Sequence, residues 1–183
     1  EVTPVFVYTN YTTAKLFING KSYGKQSKNN SSLKSRYRLM WMDAVYEPGE
    51  VKVVAYNKDG KAVAEKTVRT AGKPHHIELV SNRNELTADG KDLAYVTVKV
   101  VDKDGNLCPT DSRLIHFSVK GAGKFRAVAN GDPTNLEQFH LPKMHAFHGM
   151  LTAIVQAGEI AGDLVLTAKA SGVKTGTVHL QAK

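Results

Sequence analysis

The chain has 183 residues, 42% of them hydrophobic and 23% charged, a composition that suits buried cores and excludes a disordered protein. Its net charge of +8 is concentrated in residues 1–72, which hold 12 Lys and Arg against 6 Asp and Glu. The single cysteine, Cys108, excludes an internal disulfide bond and a multi-cysteine zinc site. No apolar run approaches the roughly 20 residues that cross a bilayer, and the sequence starts without a signal-peptide pattern. We therefore expect no membrane span.

Short strands separated by turn signals fill the first part of the chain. The alternation of apolar and polar residues predicts about six strands in roughly 70 residues, which is the spacing of a β-sandwich. The clearest of them are residues 5–8, 14–18, 38–42, 51–56 and 61–70. The all-polar run Lys25 to Ser32 is predicted to be an exposed loop.

The run from Ala71 to Pro74 is the predicted domain boundary, because Gly and Pro interrupt the strand pattern there. After it, Glu85 to Asn106 contains the most legible strand, with Ala94, Val96, Val98 and Val100 on one face. Such a face must pack against a second sheet. The predicted fold is all-β: two tandem immunoglobulin-like antiparallel β-sandwiches, residues 1–72 and 73–183.

Strand alternation also predicts the residues of each core. The first core is expected to contain Leu16, Ile18, Leu39, Trp41, Val51 and Val53. The second core is expected to contain Val96, Val98, Val100, Phe117, Leu164 and Leu166.

Two methionines are the candidate interface. If Leu39 and Trp41 point inward, alternation turns Met40 and Met42 outward on the same strand. Two large apolar side chains are a poor choice for a face that contacts only water, so we expect them to meet another domain. The opposite register would bury the methionines and expose Trp41, as a sugar-binding platform requires.

The basic first half admits two interpretations. Between Lys15 and Arg38 the chain has no acidic residue, which could attract a polyanion such as nucleic acid or a sulfated glycan. A solvated lysine-rich hairpin and loop is the favoured interpretation, because the aromatic residues there form no regular stacking platform. We expect no nucleic-acid partner.

Metal-binding patterns are weak. Asp102, Asp104 and Asn106 resemble the start of a calcium loop, but Arg113 stands where the bidentate Glu belongs, and a hairpin turn accounts for them better. The long irregular segment Gly131 to Gly149 holds three histidines whose spacing matches no compact metal motif: His140, His145 and His148. His75 and His76 are adjacent at a strand entrance, where alternation predicts that they cannot chelate together. No metal and no cofactor is expected.

Catalytic patterns are also missing. A glycosidase needs two carboxylates held across a sugar, and the only acids of the long segment, Asp132 and Glu137, are expected to cap and pin it. Cys108 has no identifiable base nearby and is expected to be a half-buried residue at a strand end. Composition and spacing favour a non-catalytic domain pair.

Several motifs resemble the C-terminal accessory domains of bacterial glycoside hydrolase family 2 enzymes, known mostly as β-galactosidases. In the first unit the matching runs are residues 7–10 (VYTN), 16–24 (LFINGKSYG), 39–41 (LMW), 46–49 (YEPG) and 70–72 (TAG). They are similar to a DUF4982-like domain. The second unit resembles the immunoglobulin-like domain that follows it, through residues 85–86, 88–93, 98–105, 117–119, 130–134, 146–147 and 149. His148 stands where that family usually has Asn.

The resemblance implies a C-terminal piece of an exported bacterial enzyme, periplasmic or extracellular, that cleaves terminal β-glycosides. Its partner would be the upstream catalytic barrel of the same polypeptide, which carries the two catalytic glutamates. Two alternatives stay open: a carbohydrate-binding module and an adhesin-type surface repeat.

Overall fold

The structure, a computed structural model, describes residues 1–183 and contains fifteen strands and no helix. The all-β class predicted from the sequence is confirmed. The chain divides into two compact units, residues 1–70 and 71–183. The structure contains no helix long and apolar enough to cross a membrane.

The first unit contains two antiparallel sheets. Its strands are β1 (Val5–Tyr8), β2 (Thr13–Ile18), β3 (Lys21–Ser27), β4 (Arg38–Trp41), β5 (Glu50–Tyr56) and β6 (Ala62–Arg69). One sheet has two strands, β1 and β4, and the other has four, in the order β3-β2-β5-β6. The small sheet therefore faces a sheet with twice as many strands.

The core of the first unit lies between these sheets. Alternation in β2 buries Ala14, Leu16 and Ile18. From the small sheet, Leu39 and Trp41 are buried against them, and the Trp41 indole Nε1 donates to the Gly24 carbonyl at 3.3 Å. Of the remaining predicted core residues, Val51 and Val53 are half-buried and pack against the same cluster.

The predicted loop at Lys25 to Ser32 is wrong over its first three residues. Strand β3 continues to Ser27 and pairs with β2, with Gln26 opposite Ala14 and Ser27 opposite Thr13. This strand is at the edge of its sheet and most of its side chains are exposed. Without a buried face it carries no apolar alternation, so the pattern of hydrophobic residues did not reveal it.

The second unit contains a five-stranded and a four-stranded sheet. Its strands are β7 (His76–Ser81), β8 (Glu85–Leu86), β9 (Leu93–Val101), β10 (Leu114–Gly121), β11 (Gly123–Ala129), β12 (Lys143–His145), β13 (Met150–Ala157), β14 (Gly162–Lys169) and β15 (Gly176–Ala182). The sheet orders are β12-β10-β14-β15-β8 and β11-β13-β9-β7. All strand pairs are antiparallel except the short pair of β15 with β8.

The core of the second unit contains every residue predicted for it. In β9, Val96, Val98 and Val100 are fully buried between the sheets. The other predicted members, Phe117, Leu164 and Leu166, are buried in the same cluster. After β9 the chain turns at Gly105, whose φ of +82° is in the left-handed region, and Leu107 then pairs with Val101.

The segment Gly131 to Gly149 is not irregular throughout. Its residues Lys143–His145 form β12, which pairs with β10 at the edge of the five-stranded sheet. Met144 is fully buried, while the flanking Lys143 and His145 are exposed. A three-residue strand is too short to show periodicity in the sequence, which explains why it was missed.

Candidate functional site

The first unit has an open side, where the small sheet does not cover the large one. Strand register places Val68 opposite Val51 and Ala64 opposite Ala55, so these β6 side chains share the core-facing side of the sheet. Yet Val68 is 62% exposed. A groove of about 410 Å³ lies between β1 and β6, and we call it the β1–β6 groove.

The walls of the β1–β6 groove are mainly apolar. Valines and alanines of β1, β5 and β6 line it, with Lys66 and Glu65 as its charged lining residues: Val5, Phe6, Val7, Tyr8, Thr9, Val51, Val53, Ala55, Ala64, Glu65, Lys66 and Val68. Glu65 pairs with Lys52 at 3.5 Å. An apolar face beside a free sheet edge is a surface that a further protein segment can cover.

The predicted inward direction of Leu39 and Trp41 is confirmed, since each is 1% exposed. Met40 lies opposite Phe6 on the outer side of the small sheet and is half-buried. The strand ends at Trp41, so Met42 does not continue it as predicted but lies in the following turn, where it is 56% exposed. We call Phe6, Met40 and Met42 the methionine patch.

The acidic residues of the long segment hold their own loop. Asp132 accepts hydrogen bonds from the Thr134 amide and hydroxyl, both at 2.8 Å. The Thr134 amide is the main reason why the pKa of Asp132 lies below its ordinary value. Glu137 accepts from the His145 amide at 3.1 Å, and its other oxygen is 3.0 Å from His145 Nδ1. As predicted, these carboxylates cap and pin the segment.

The three histidines of the long segment do not form a metal-binding group. His148 Nδ1 is 3.3 Å from the Pro109 carbonyl oxygen, and its φ of +50° is a conformation that Asn adopts more readily. The prediction that alternation separates the rings of His75 and His76 is wrong, because their Nδ1 atoms are only 3.0 Å apart. Strand β7 begins at His76, so His75 lies outside the alternation that would separate the two rings. No group of three or more metal-ligating side chains occurs in the protein.

Asp102 is the one buried charged residue. Its carboxylate accepts from the amides of Gly72 (2.7 Å), Asp104 (2.9 Å) and Asn106 (2.9 Å), and from the Asn106 side chain (3.0 Å). These donors, led by the Gly72 amide, hold the pKa of Asp102 far below its ordinary value. They occupy the lone pairs that a calcium ion would need, so this is the predicted turn and not a calcium loop.

Cys108 is fully buried, not half-buried as predicted. Burial is the main cause that raises the pKa of its thiol. A protonated, inaccessible thiol is a poor nucleophile, which agrees with the expectation that Cys108 is structural.

Comparison with known families gives a match for each unit. Residues 77–179 match the family model described as glycoside hydrolase family 2 C-terminal domain 5. Residues 1–64 match the model described as domain of unknown function DUF4982.

Similar proteins include two β-galactosidases. The chain is 41% identical to a β-galactosidase of Bacteroides ovatus over 176 residues, which is 96% of this chain and 20% of that protein. It is 30% identical to a β-galactosidase of Thermoanaerobacter pseudethanolicus over 90% of this chain and 22% of that protein. The chain thus spans about a fifth of the length of these relatives.

Solved structures show the same fold. A glycosyl hydrolase family 2 member from Bacteroides cellulosilyticus superposes with a TM-score of 0.85 at 32% identity, covering 98% of this chain and 23% of that one. A β-glycosidase from Bacteroides vulgatus superposes with a TM-score of 0.90 at 27% identity, covering 100% of this chain and 23% of that one.

Proposed function

Because this chain belongs to the glycoside hydrolase family 2 C-terminal domain 5 family, we propose that it supports and positions an upstream TIM-barrel catalytic module of the same polypeptide. The chain is an accessory region of a family 2 enzyme. The observation that carries the proposal is the match of 96% of this chain to only 20% of a β-galactosidase. The reaction that we propose for the whole protein is hydrolysis of terminal β-glycosides, with β-galactosides as the first substrates to test.

The chemistry of the chain supports a non-catalytic role. Cleavage of a glycoside needs a pair of carboxyl groups facing a sugar across a fixed gap. In the long segment, Asp132 and Glu137 are instead hydrogen-bonded to Thr134 and His145. Asp102 is buried in a turn. The acid pair therefore belongs to the rest of the polypeptide in this proposal.

The contact surface that we propose for the barrel is the methionine patch together with the β1–β6 groove. Phe6 belongs to both, because it lines the groove and lies opposite Met40 in the small sheet. Apolar side chains left in water gain free energy on burial, about 25 cal/mol per Å² of apolar area. A barrel segment packed here would cover the part of the four-stranded sheet that the two-stranded sheet leaves exposed. We also propose a periplasmic or extracellular location, as expected for an exported glycosidase.

Two serine variants of the full-length enzyme test this proposal, and the side chains that they replace are similarly exposed. Met42→Ser removes an exposed apolar side chain from the proposed contact, and Val80→Ser removes one from the second unit, where Val80 is similarly exposed. We expect Met42→Ser to lower the Tm of the catalytic module and to shorten its active half-life, while Val80→Ser changes neither. Differential scanning calorimetry and p-nitrophenyl β-galactoside hydrolysis after heating measure both quantities.

Deletion of residues 1–183 from the enzyme is the broader control. If the truncated enzyme keeps the Tm and the kcat/KM of the full-length protein, the supporting role is wrong. Equal effects of Met42→Ser and Val80→Ser would instead reject the proposed contact surface.

A further inference from the structure

A second surface of the first unit has polar and aromatic walls. Tyr8, Thr9, Asn10, Lys28 and Tyr37 line an open cleft of about 470 Å³, which we call the tyrosine cleft. Tyr8 is 70% exposed and Tyr37 is 67% exposed, which is far more than tyrosines show when they only complete a core. Much of each tyrosine side chain is therefore accessible to a ligand.

The backbone around the tyrosine cleft is held in place before any ligand arrives. The Lys28 ammonium donates to the Thr9 carbonyl, and the Lys28 amide donates to the Thr12 carbonyl at 2.8 Å. On the other side, the Arg38 guanidinium donates to the Lys34 carbonyl at 2.8 Å and lies 3.5 Å from the Tyr8 hydroxyl. A preorganised site loses less entropy on binding than a flexible one.

The electrostatic field at this end of the unit is positive. Residues 2–42 include no Asp or Glu. The cations that line the cleft or touch its tyrosines are Lys28, Arg36 and Arg38, and none of them forms a salt bridge. The Arg36 guanidinium lies over one face of the exposed Tyr37 ring, 5.8 Å from the ring centre, which places a positive charge against this aromatic side chain.

We propose that the tyrosine cleft binds a saccharide that carries a carboxylate or sulfate group. The apolar face of a pyranose packs on a tyrosine ring, while Asn10 and Thr9 offer neutral hydrogen-bonding groups to its hydroxyls. The unpaired cations supply the attraction for the anionic substituent. The choice of a saccharide among anionic ligands rests on the proposed function, whereas the location of the site rests on the geometry alone.

Binding to the complete 183-residue chain tests this proposal. The probes are an oligogalacturonate hexasaccharide for the carboxylate, a heparin hexasaccharide for the sulfate, and a β-1,4-galactan hexasaccharide as the neutral counterpart. Isothermal titration calorimetry is expected to give a Kd below about 1 mM for at least one anionic probe and at least about tenfold weaker binding of the neutral one. Raising the NaCl concentration is expected to weaken binding, because salt screens exposed charges.

Single-site variants separate a built site from general attraction to a basic surface. Tyr37→Ala and Tyr8→Ala are each expected to weaken binding by about tenfold or more. Tyr95→Ala, which removes an exposed tyrosine from the second unit, is expected to leave the Kd unchanged. Circular dichroism verifies that each variant is folded.

Three results would overturn the proposal. The first is no saturable binding of either anionic probe up to about 10 mM. The second is an equal Kd of the anionic probe for Tyr37→Ala and for the unaltered chain. The third is binding of inorganic polyphosphate that is as tight as that of the anionic saccharides and is unchanged by Tyr37→Ala. None of these results depends on the activity of the full-length enzyme. Failure of the saccharide-binding proposal therefore does not decide the supporting role, which the Met42→Ser and deletion experiments test separately.

Discussion

Asp102 shows how one buried charge organises a turn. It is 2% exposed, and its burial is compensated because the carboxylate accepts hydrogen bonds from the amides of Gly72, Asp104 and Asn106. Two of these amides belong to the turn that follows β9, and the third belongs to the first residues of the second unit. One side chain thus ties the start of the unit to the turn that leads out of its central strand.

The pH dependence of stability follows from this arrangement. The folded-state pKa of Asp102 lies well below its ordinary value of 3.8, so the stabilising contribution is complete above about pH 4 and is lost as the pH falls through the lower folded-state pKa. We expect Asp102→Asn to lower the Tm of the second unit by several degrees at pH 7 and to flatten the acid side of the stability curve.

Thermal melts followed by circular dichroism between about pH 2 and pH 7 measure the effect of Asp102→Asn. The matched control is Asp104→Asn, because the Asp104 carboxylate is exposed and pairs only with Lys103. Parallel curves for Asp102→Asn and the unaltered protein would show that another carboxylate carries the acid sensitivity.

The turn between β10 and β11 moves the chain from the five-stranded to the four-stranded sheet within three residues. Gly121 has a φ of +90°, and a Cβ there would lie 2.0 Å from the Asp163 carbonyl oxygen. Ala122 donates its amide to the same carbonyl at 2.8 Å. This close backbone approach demands glycine for two separate reasons, the left-handed conformation and the missing Cβ.

A pair of glycine variants separates these two reasons. Gly105 has a similar φ of +82°, but a Cβ at that position would have no other atom within 4 Å, so Gly105→Ala meets only the conformational penalty. We expect Gly105→Ala to lower the free energy of unfolding by about 1 to 2 kcal/mol and Gly121→Ala by about 3 to 5 kcal/mol. Urea denaturation measures both, and equal losses would mean that the β10–β11 turn relaxes without penalty.

Across the whole molecule, the carboxylates that the sequence singles out are committed to structure. Asp102, Asp132 and Glu137 each accept hydrogen bonds from nearby backbone amides, and Cys108 is buried. The exposed features of the first unit are instead surfaces: the methionine patch, the β1–β6 groove and the tyrosine cleft. Such a molecule is suited to contact and binding.

We therefore expect the purified 183-residue chain to hydrolyse no aryl β-galactoside, β-glucuronide or β-glucoside. Release of p-nitrophenol above a buffer blank is the measurement, and a β-galactosidase of known activity is the positive control. Turnover that survives repurification and disappears in Asp132→Asn or Glu137→Gln would contradict this expectation.

Features that depend on neighbours along the chain could be predicted from the sequence alone. Alternation in β2, β4 and β9 predicted the buried residues, including Trp41 and Val98, because successive side chains of a strand point to opposite faces of the sheet. The motifs that resemble family 2 accessory domains were also readable, and the family match to residues 77–179 agrees with them. Turn residues such as Gly105 marked the ends of strands.

The pairing of the strands, and the surfaces that they leave uncovered, emerged only from the three-dimensional arrangement. The edge strand β3 and the three-residue β12 carry too little periodicity to be recognised before their partners are known. The β1–β6 groove exists because a two-stranded sheet faces a four-stranded one, and the tyrosine cleft joins residues from positions 8 to 37 of the chain. Periodicity reports which face of a strand is buried, whereas the partner that buries it is set by contacts between residues far apart in sequence.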